Sequence, residues 1–315
     1  MPMVLASLGL IVLFGLVVIA IAFRRRPLAV YGRLSRRALR RSGLRQQFVE
    51  TAVGRQSVWV GGNGPVLVLL HGAGDQAGTW AGTVPAFLKD YRIVALDLAG
   101  HGDSEPRTGP LSVGTVVAGA AAVITAIAPD APVIVVGNSL GAWVALLLAV
   151  APAAAAPSPM PRLARLVLVN GGALRGERTD ITLTPTTRDE ARLTLEALMG
   201  AKARRAPDFV VDDLIRVCRY GPIGRLAETS DEMDRYVLEG RLHEVDVPVD
   251  LLWGDQDRVF PLAYAEKMQA GLPAVRLTTL AGLGHAPHRD RPSQFNEGLR
   301  SLLARPAPEA IRAAR

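Results

Sequence analysis

Short apolar runs alternate with helical stretches over most of this chain. Such runs, uninterrupted by polar residues, are typical of strands that are buried on both faces of a sheet. The strand-like runs are VLVLL (66–70), RIVAL (92–96), VIVVG (133–137), LVLVN (166–170), VDLLW (249–253) and VRLTTL (275–280). Helices are predicted between several of them, as in VVAGAAAVITAIA (116–128) and AWVALLLAVA (142–151). Strands that alternate with helices predict an α/β fold with a mostly parallel sheet.

Breaks in this pattern predict how the chain is divided. Residues 173–247 are rich in charge, carry apolar residues at helical spacing and lack a strong strand signal, so we expect a helical insertion there. The sheet core then comprises residues 47–172 and 248–304, and residues 305–315 form a tail. The one cysteine, Cys218, excludes an intramolecular disulfide and a cysteine-based metal cluster.

An uncharged apolar run stands close to the N-terminus. As a helix, residues 3–23 (MVLASLGLIVLFGLVVIAIAF) would be roughly 31 Å long, which matches the hydrocarbon core of a bilayer. A cleaved signal peptide is the alternative, because Ala20-Ile21-Ala22 resembles a cleavage site. The positive segment that should precede the apolar run of a signal peptide is missing, however. We therefore predict that residues 1–23 are an uncleaved transmembrane anchor.

The basic charge of the chain is concentrated directly after this run. The net charge is +7, but nine arginines lie within residues 24–45 and no acidic residue lies within residues 1–45. The remainder is therefore near neutral, which argues against a nucleic-acid-binding surface. Because arginines that flank a span favour the cytoplasmic side, we expect a single-pass membrane protein with a cytoplasmic main body. Residues 24–46 form the predicted basic juxtamembrane segment, where Leu28, Tyr31 and Leu34 at helical spacing would lie on anionic lipid.

One short motif carries the chemistry. Gly137-Asn138-Ser139-Leu140-Gly141 fits the pattern G-x-S-x-G, with a predicted strand before it and a predicted helix after it. A strand-to-helix turn of this kind strains the backbone of its central residue and exposes that side chain above the sheet. Ser139 is therefore the candidate nucleophile. The plainer interpretation is a tight turn in which the serine only caps a helix.

A serine nucleophile needs a base, and the base needs an acid that orients it. His285 follows the last predicted strand, and His288 is the alternative base close by. Asp257 follows the strand before that, with Asp255 as the rival acid. A carboxylate in this place holds the imidazole tautomer and stabilises the imidazolium.

Backbone N–H groups near the serine are candidates for binding an oxyanion. The run VLVLL leads into His71-Gly72-Ala73-Gly74, whose glycines let the backbone turn towards the nucleophile. The predicted donors are the N–H groups of Ala73 and Leu140, with Gly74 as the alternative to Ala73. His71 is interpreted as a brace for this loop. Asn138, Trp80 and Trp143 flank the motifs and are the candidates for lining the substrate pocket.

Taken together, residues 47–304 resemble the α/β-hydrolase superfamily. The pieces that carry the resemblance are LLHGAG (69–74), DLAGHGDS (97–104), GNSLG (137–141), GDQDRVFP (254–261) and GLGHAPHRDRP (282–292). The resemblance implies an α/β-hydrolase fold with Ser139 as nucleophile, Asp257 as acid, His285 as base, and the Ala73 and Leu140 amides as oxyanion hole. It also implies that residues 173–247 are a lid over the active site.

The residue types at these positions narrow the expected chemistry. Relatives that open epoxides or displace halide carry Asp at the position of Ser139. Gly-Asn-Ser is similar to hydrolases of carbon–carbon bonds in ring-cleavage products, but Leu140-Gly141-Ala142 and Ala286 depart from their pattern. Gly-His-Ala-Pro (284–287) looks more like simple esterases.

We therefore expect a carboxylic ester hydrolase that acts on a small-molecule acyl substrate, lipophilic in view of the anchor. Its two-step acyl transfer requires no metal or organic cofactor. Carbon–carbon hydrolysis, acyl transfer and perhydrolysis by the same triad are alternatives. A membrane-tethered binding protein without catalysis is the alternative from another class.

Overall fold

A single eight-stranded sheet forms the centre of the protein. The computed structural model describes residues 15, 18, 20–150, 162–175 and 181–309. The strands are β1 (Arg45–Thr51), β2 (Gly54–Gly61), β3 (Val66–Leu70), β4 (Arg92–Leu96), β5 (Val133–Asn138), β6 (Leu163–Val169), β7 (Val249–Gly254) and β8 (Val275–Leu280). Every strand-like run of the sequence from residue 66 onward corresponds to one of them, so the strand prediction is confirmed.

The order of the strands fixes where a site can form. The sheet runs β1-β2-β4-β3-β5-β6-β7-β8, with β1–β2 and β2–β4 antiparallel and every other neighbouring pair parallel. The chain steps outward from β3 to β4 and then returns to place β5 on the other side of β3. In parallel sheets, a ligand crevice opens at the carboxyl ends of two strands where the order reverses in this way. The loops after β3 and β5 are therefore neighbours.

Helices cover both faces of the sheet. They are α1 (Pro27–Arg41), α2 (Val84–Phe87), α3 (Val113–Ile127), α4 (Leu140–Ala149), α5 (Arg188–Met199), α6 (Asp208–Tyr220), α7 (Pro222–Ala227), α8 (Leu262–Gly271), α9 (Pro287–Asp290) and α10 (Pro292–Leu303). Successive residues of a strand point to opposite faces. Accordingly Val66, Val68 and Leu70 of β3 join one buried cluster, whereas Leu67 and Leu69 join the other. Double-sided burial explains the unbroken apolar runs.

The predicted anchor lies mostly outside the described residues, since residues 1–14, 16, 17 and 19 are not among them. Residues 20–25 are helical. Within the described part of the chain, no helix combines the length and the hydropathy of a membrane span.

The basic segment after the run is a structural part of the domain. Residues 27–41 form α1, whose Leu39 is fully buried against the core, while Tyr31 and Leu34 are 47% and 55% exposed. The Asp213 carboxylate of α6 accepts a hydrogen bond of 3.0 Å from the backbone N–H of Leu28 and so caps the start of α1. The prediction of a collar on the lipid surface missed this docking, because helical spacing indicates two faces but not what each contacts.

The described residues between β6 and β7 form helices and connecting loops, without a β-strand. They contain α5, α6, α7 and 3-10 turns at Ala201–Arg205, Ser230–Tyr236 and Leu242–Glu244. Their small core includes Leu195, Val211, Leu214 and Cys218. Burial raises the pKa of the Cys218 thiol to about 11, as befits a core residue. We call residues 173–247 the helical insertion.

One buried aspartate and two arginines connect the last three strands. Asp250 of β7 is fully buried and accepts hydrogen bonds from Arg165 of β6 at 2.6 Å and from Arg276 of β8 at 2.7 Å. Arg165 also donates to the carbonyl oxygens of Leu302 and Arg305, which fixes the end of α10 and the start of the predicted tail.

We predict that Asp250→Ala lowers the free energy of unfolding by about 3–5 kcal/mol, because it leaves Arg165 buried without a carboxylate. The matched control is Asp234→Ala, which breaks an exposed pair with Arg175 of 2.8 Å and should cost about 1 kcal/mol or less. Chemical denaturation of the purified variants measures both values. Equal losses in the two variants would contradict the role given to Asp250.

Candidate active site

Ser139 stands at the sharp turn between β5 and α4. Its backbone lies in the left-handed region, with φ 53° and ψ −117°, and it is one of two non-glycine residues of positive φ in the described chain. Such strain persists only where the surroundings enforce it. A side chain at Gly137 would collide with the carbonyl of Gly141, and one at Gly141 with the carbonyl of Leu70. The two glycines therefore allow strand and helix to approach closely enough for this turn.

His285 is bonded to the predicted acid. Its Nδ1 lies 2.9 Å from Oδ2 of Asp257, and both side chains are almost completely buried. The other carboxylate oxygen of Asp257 accepts the backbone N–H groups of Val259 and Phe260 at 2.7 and 3.0 Å. This arrangement fixes the carboxylate, so that the imidazole Nδ1–H donates to it and Nε2 is left as the base.

Asp255, the rival acid, is not bonded to His285. It is exposed, and its Oδ1 accepts the backbone N–H of Gly282 at 2.7 Å. The structure therefore pairs His285 with Asp257 and assigns Asp255 to a turn between the ends of β7 and β8.

Asn170, the last residue of the run LVLVN, is a site residue that was not among the predicted ones. Asn170 follows β6 with φ 49°, a backbone conformation that asparagine adopts more readily than most residues. Its side-chain NH₂ donates to Oδ2 of Asp257 at 2.6 Å, and its side-chain oxygen accepts the backbone N–H of Gly254 at 3.1 Å. The sequence contained a signal for this contact. Asn170 follows β6 and Asp257 follows β7, and the ends of these two parallel strands lie side by side.

The predicted oxyanion donors follow the two neighbouring strands β3 and β5. Ala73 lines the same cavity as Ser139, and Leu140 is the first residue of α4. Within the described residues, neither backbone N–H has a hydrogen-bond acceptor. Two free amides beside a helix N-terminus suit a developing negative charge.

His71 braces the loop that carries Ala73. Its Nδ1 donates to the carbonyl of Gly72 at 2.7 Å, and its Nε2 accepts the backbone N–H of Leu98 at 3.0 Å. Burial lowers the pKa of His71, which keeps the ring neutral for these two roles. Asp97 supports the same region by accepting the backbone N–H groups of Ala77 and Asp103.

The alternative base and two of the three pocket candidates lie away from the cavity. His288 bonds Thr79 at 2.9 Å and stacks on Trp80 at 4.3 Å, and burial lowers its pKa to about 3. Trp80 is completely buried in the core, and Trp143 donates its indole N–H to the carbonyl of Tyr236 at 2.7 Å. Both tryptophans therefore serve packing, and the prediction that they line the pocket does not match the cavity found here.

Of the predicted site residues, Ser139, His285, Asn138 and Ala73 line one cavity of about 470 Å³. The NH₂ of Asn138 donates to the carbonyls of Val169 and His285, which places this side chain as a link between the two loops. The helical insertion supplies apolar lining residues, among them Leu195, Leu198, Met199, Leu214 and Ile223. Within the described ranges, no three His, Cys, Asp or Glu side chains are grouped as metal ligands.

This geometry is that of nucleophilic catalysis by a serine. The residues contributed by the ends of β3, β5, β6, β7 and β8 converge on one edge of the sheet. A strained serine, a histidine held by a buried carboxylate and two free backbone amides meet at a cavity large enough for a small organic substrate.

Comparison with known proteins agrees with this arrangement. The chain is 31% identical to the pimeloyl-[acyl-carrier protein] methyl ester esterase of Nitrosomonas europaea over 258 residues, which are 74% of this chain and 94% of that protein. It is 26% identical to an uncharacterised protein of Mycobacterium tuberculosis over 269 residues, 76% of each chain.

Solved structures share the fold at lower identity. A membrane phospholipase A, described as a bacterial virulence factor, superimposes with a TM-score of 0.73 at 23% identity, over 94% of this chain and 97% of that one. Naproxen esterase from Bacillus subtilis gives 0.66 at 18% identity, over 85% and 96%. The model of the alpha/beta hydrolase family matches residues 67–297, and the chain accordingly belongs to that family.

Proposed function

We propose that this protein is a serine hydrolase that cleaves a carboxylic ester through an acyl-enzyme. The observation that carries the proposal is the hydrogen bond of 2.9 Å between His285 and Asp257 beside the cavity that Ser139 also lines. A histidine held in this way accepts the proton of a serine hydroxyl. The esterase among the relatives supports carbonyl chemistry of this kind.

The reaction proceeds in two halves. His285 Nε2 takes the proton of the Ser139 hydroxyl while the serine oxygen attacks the carbonyl carbon. The oxyanion accepts hydrogen bonds from the N–H groups of Ala73 and Leu140, and His285 then gives its proton to the departing alcohol. In the second half His285 activates water, which attacks the acyl-enzyme and releases the carboxylic acid.

We propose further that the helical insertion acts as a lid and that residues 1–23 anchor the protein in a membrane, with the main body on the cytoplasmic side. The apolar lining residues of the insertion support the first part. The uncharged run and the nine arginines after it support the second.

The first of three predictions from the proposed function concerns the nucleophile. Ser139→Ala should abolish hydrolysis of short p-nitrophenyl esters and labelling by a fluorophosphonate probe, because both require the serine oxygen. Ser112→Ala is the matched control: it removes a hydroxyl that caps α3, and we expect it to retain both activities. Labelling of the Ser139→Ala variant at the wild-type level would reject the proposed nucleophile.

The second prediction concerns Asn170 as a positioning residue. Asn170→Asp keeps an acceptor for Gly254 but replaces the donor to Asp257 by a second carboxylate. Additional negative charge favours the imidazolium, so the acidic limb of the pH profile of kcat/KM should move to higher pH by about one unit. Asp255→Asn, which alters an exposed carboxylate not bonded to His285, should leave the profile in place. Superimposable profiles for Asn170→Asp and the wild type would show that Asn170 does not act on His285.

The third prediction concerns the anchor. The full-length protein should stay in the membrane fraction through an alkaline carbonate wash. Replacing both Leu13 and Leu16 by Arg should release it, since each arginine at the centre of a span costs about 3 kcal/mol. Replacing Leu34, an exposed residue of α1, by Arg is the control and should leave the protein bound. Wild-type protein found in the wash would refute the anchor.

A further inference from the structure

The rim of the cavity is formed mainly by one helix. Of all the residues that line the cavity, four are exposed: Ala29, Tyr31 and Arg33 of α1, and Arg107 of the loop after β4. The lining residues from the helical insertion and from the catalytic loops are buried or half-buried. A substrate that reaches Ser139 by this opening therefore passes α1 and two arginines.

Positive charge at this opening exceeds the negative charge. Five arginines line the cavity (Arg33, Arg36, Arg107, Arg216 and Arg289). Two of them are committed to close ion pairs: Arg289 lies 2.9 Å from Asp75, and Arg216 lies 2.5 Å from Asp213. Burial raises the pKa of the Asp75 carboxyl, but the adjacent Arg289 guanidinium outweighs burial and holds that pKa below its ordinary value, so this pair is charged.

Of the other three arginines, two share a single carboxylate and the third has none. Arg36 and Arg107 approach Asp103 only at 3.7 and 3.8 Å. Arg33 forms no hydrogen bond or ion pair with any residue in the described ranges, although it lines the cavity. One carboxylate cannot neutralise three guanidinium groups, so an uncompensated positive charge stands at the rim. Guanidinium groups bind phosphate and carboxylate by charge-assisted hydrogen bonds.

The interior next to this charged rim is apolar. Leu195, Leu198 and Met199 of α5 line the cavity together with Leu214 of α6 and Ile223 of α7. A hydrocarbon chain fits such a surface, whereas an anionic group does not. The cavity therefore has an apolar part for one end of a molecule and a positive rim for the other.

We propose that the substrate is an anionic amphiphile: an acyl ester whose hydrocarbon chain lies among the insertion residues and whose alcohol part carries a phosphate-type anion that Arg33 and Arg107 bind at the rim. Hydrolysis then releases a fatty acid and an anionic alcohol. This inference rests on the proposed ester hydrolysis and specifies its substrate class.

The test compares two esters that differ only in the anion. They are 1-octanoyl-glycerol 3-phosphate and 1-octanoyl-glycerol, both dissolved as monomers, with fatty acid release measured on the full-length protein. The wild type should show a kcat/KM about tenfold higher for the phosphate ester, which corresponds to about 1.4 kcal/mol. Because the contacts lie at an exposed rim, this preference should shrink as salt is raised.

Variants in which arginine is replaced by glutamine show which arginines cause the preference for the phosphate ester. Arg33→Gln should lower the preference for the phosphate ester severalfold through KM, and Arg33→Gln combined with Arg107→Gln should abolish it. For each variant, kcat/KM of the neutral ester is measured in parallel, so that the preference is the ratio of the two values. The control is Arg37→Gln on the same helix, an exposed arginine that does not line the cavity, and it should retain the preference.

A third arm identifies the source of the anion. A long-chain acyl-glycerol phosphate presented in phosphatidylcholine vesicles is compared with the dissolved octanoyl ester. Preference for the phosphate ester in both arms supports recognition of the anionic ester itself. Preference in vesicles alone, with equal kcat/KM for the dissolved esters, would overturn the inference and attribute the effect to the membrane surface.

Several results would overturn the inference. Equal kcat/KM for the two esters in the wild type would do so, and so would equal effects of Arg33→Gln and Arg37→Gln. In these cases hydrolysis of the neutral ester leaves the proposed function intact. If the wild type hydrolyses neither ester, the inference is overturned. If the fluorophosphonate probe also fails to label Ser139, the proposed function fails as well.

Discussion

The parallel pairing of β3 and β5 is the constraint on which the site depends. Leu70 at the end of β3 lies opposite Gly137 in β5, so the loop that carries Ala73 and the turn that carries Ser139 leave the sheet side by side. Two glycines then let α4 pack against this corner, and the left-handed backbone of Ser139 follows from that packing. The apolar runs that form the sheet thus place both the nucleophile and one amide of the predicted oxyanion hole.

The other half of the site depends on the next strands in the same sheet. Asn170, Asp257 and His285 follow β6, β7 and β8, and a chain of hydrogen bonds joins them across the three strand ends. Buried polar groups are costly when unpaired, and here each of the three has a partner. Asn170 has no acidic or basic function of its own, but it connects the acid to the end of β7 through Gly254. Its contribution is to hold the carboxylate in one place.

The sequence was sufficient for six of the eight strands and for the loops that carry the site. Continuous apolar runs report burial on both faces, and strand ends in a parallel sheet meet at one edge, so Ser139, His285 and an aspartate after β7 could be chosen before the fold was known. Strand ends alone did not separate Asp257 from Asp255, because both follow β7 and only the direction of the side chains distinguishes them. Trp80 and Trp143 were misjudged for a related reason: nearness in sequence to a motif does not say to which side of the backbone an indole points.

The role of α1 was the hardest feature of the structure to predict from the sequence. Its arginines and exposed apolar residues resemble a lipid-facing collar, and nothing in the spacing reveals that Leu39 is buried in the core or that Asp213 caps the helix from the insertion. Long-range contacts of this kind depend on the tertiary fold. With α1 at the cavity rim, the segment that follows the predicted anchor also forms part of the cavity wall.

If Ser139 is the nucleophile, the acyl group of the substrate is bound covalently to Ser139 during turnover. The most direct measurement is to trap this acyl-enzyme. Acid-quenched protein taken during steady-state turnover of a p-nitrophenyl ester would be digested and analysed by mass spectrometry. We predict that the peptide containing Ser139 gains the mass of the acyl group minus one proton, and that this mass disappears as the substrate is exhausted. Turnover with the acyl mass on another residue, or with no acylated peptide under conditions where release is rate-limiting, would contradict the account.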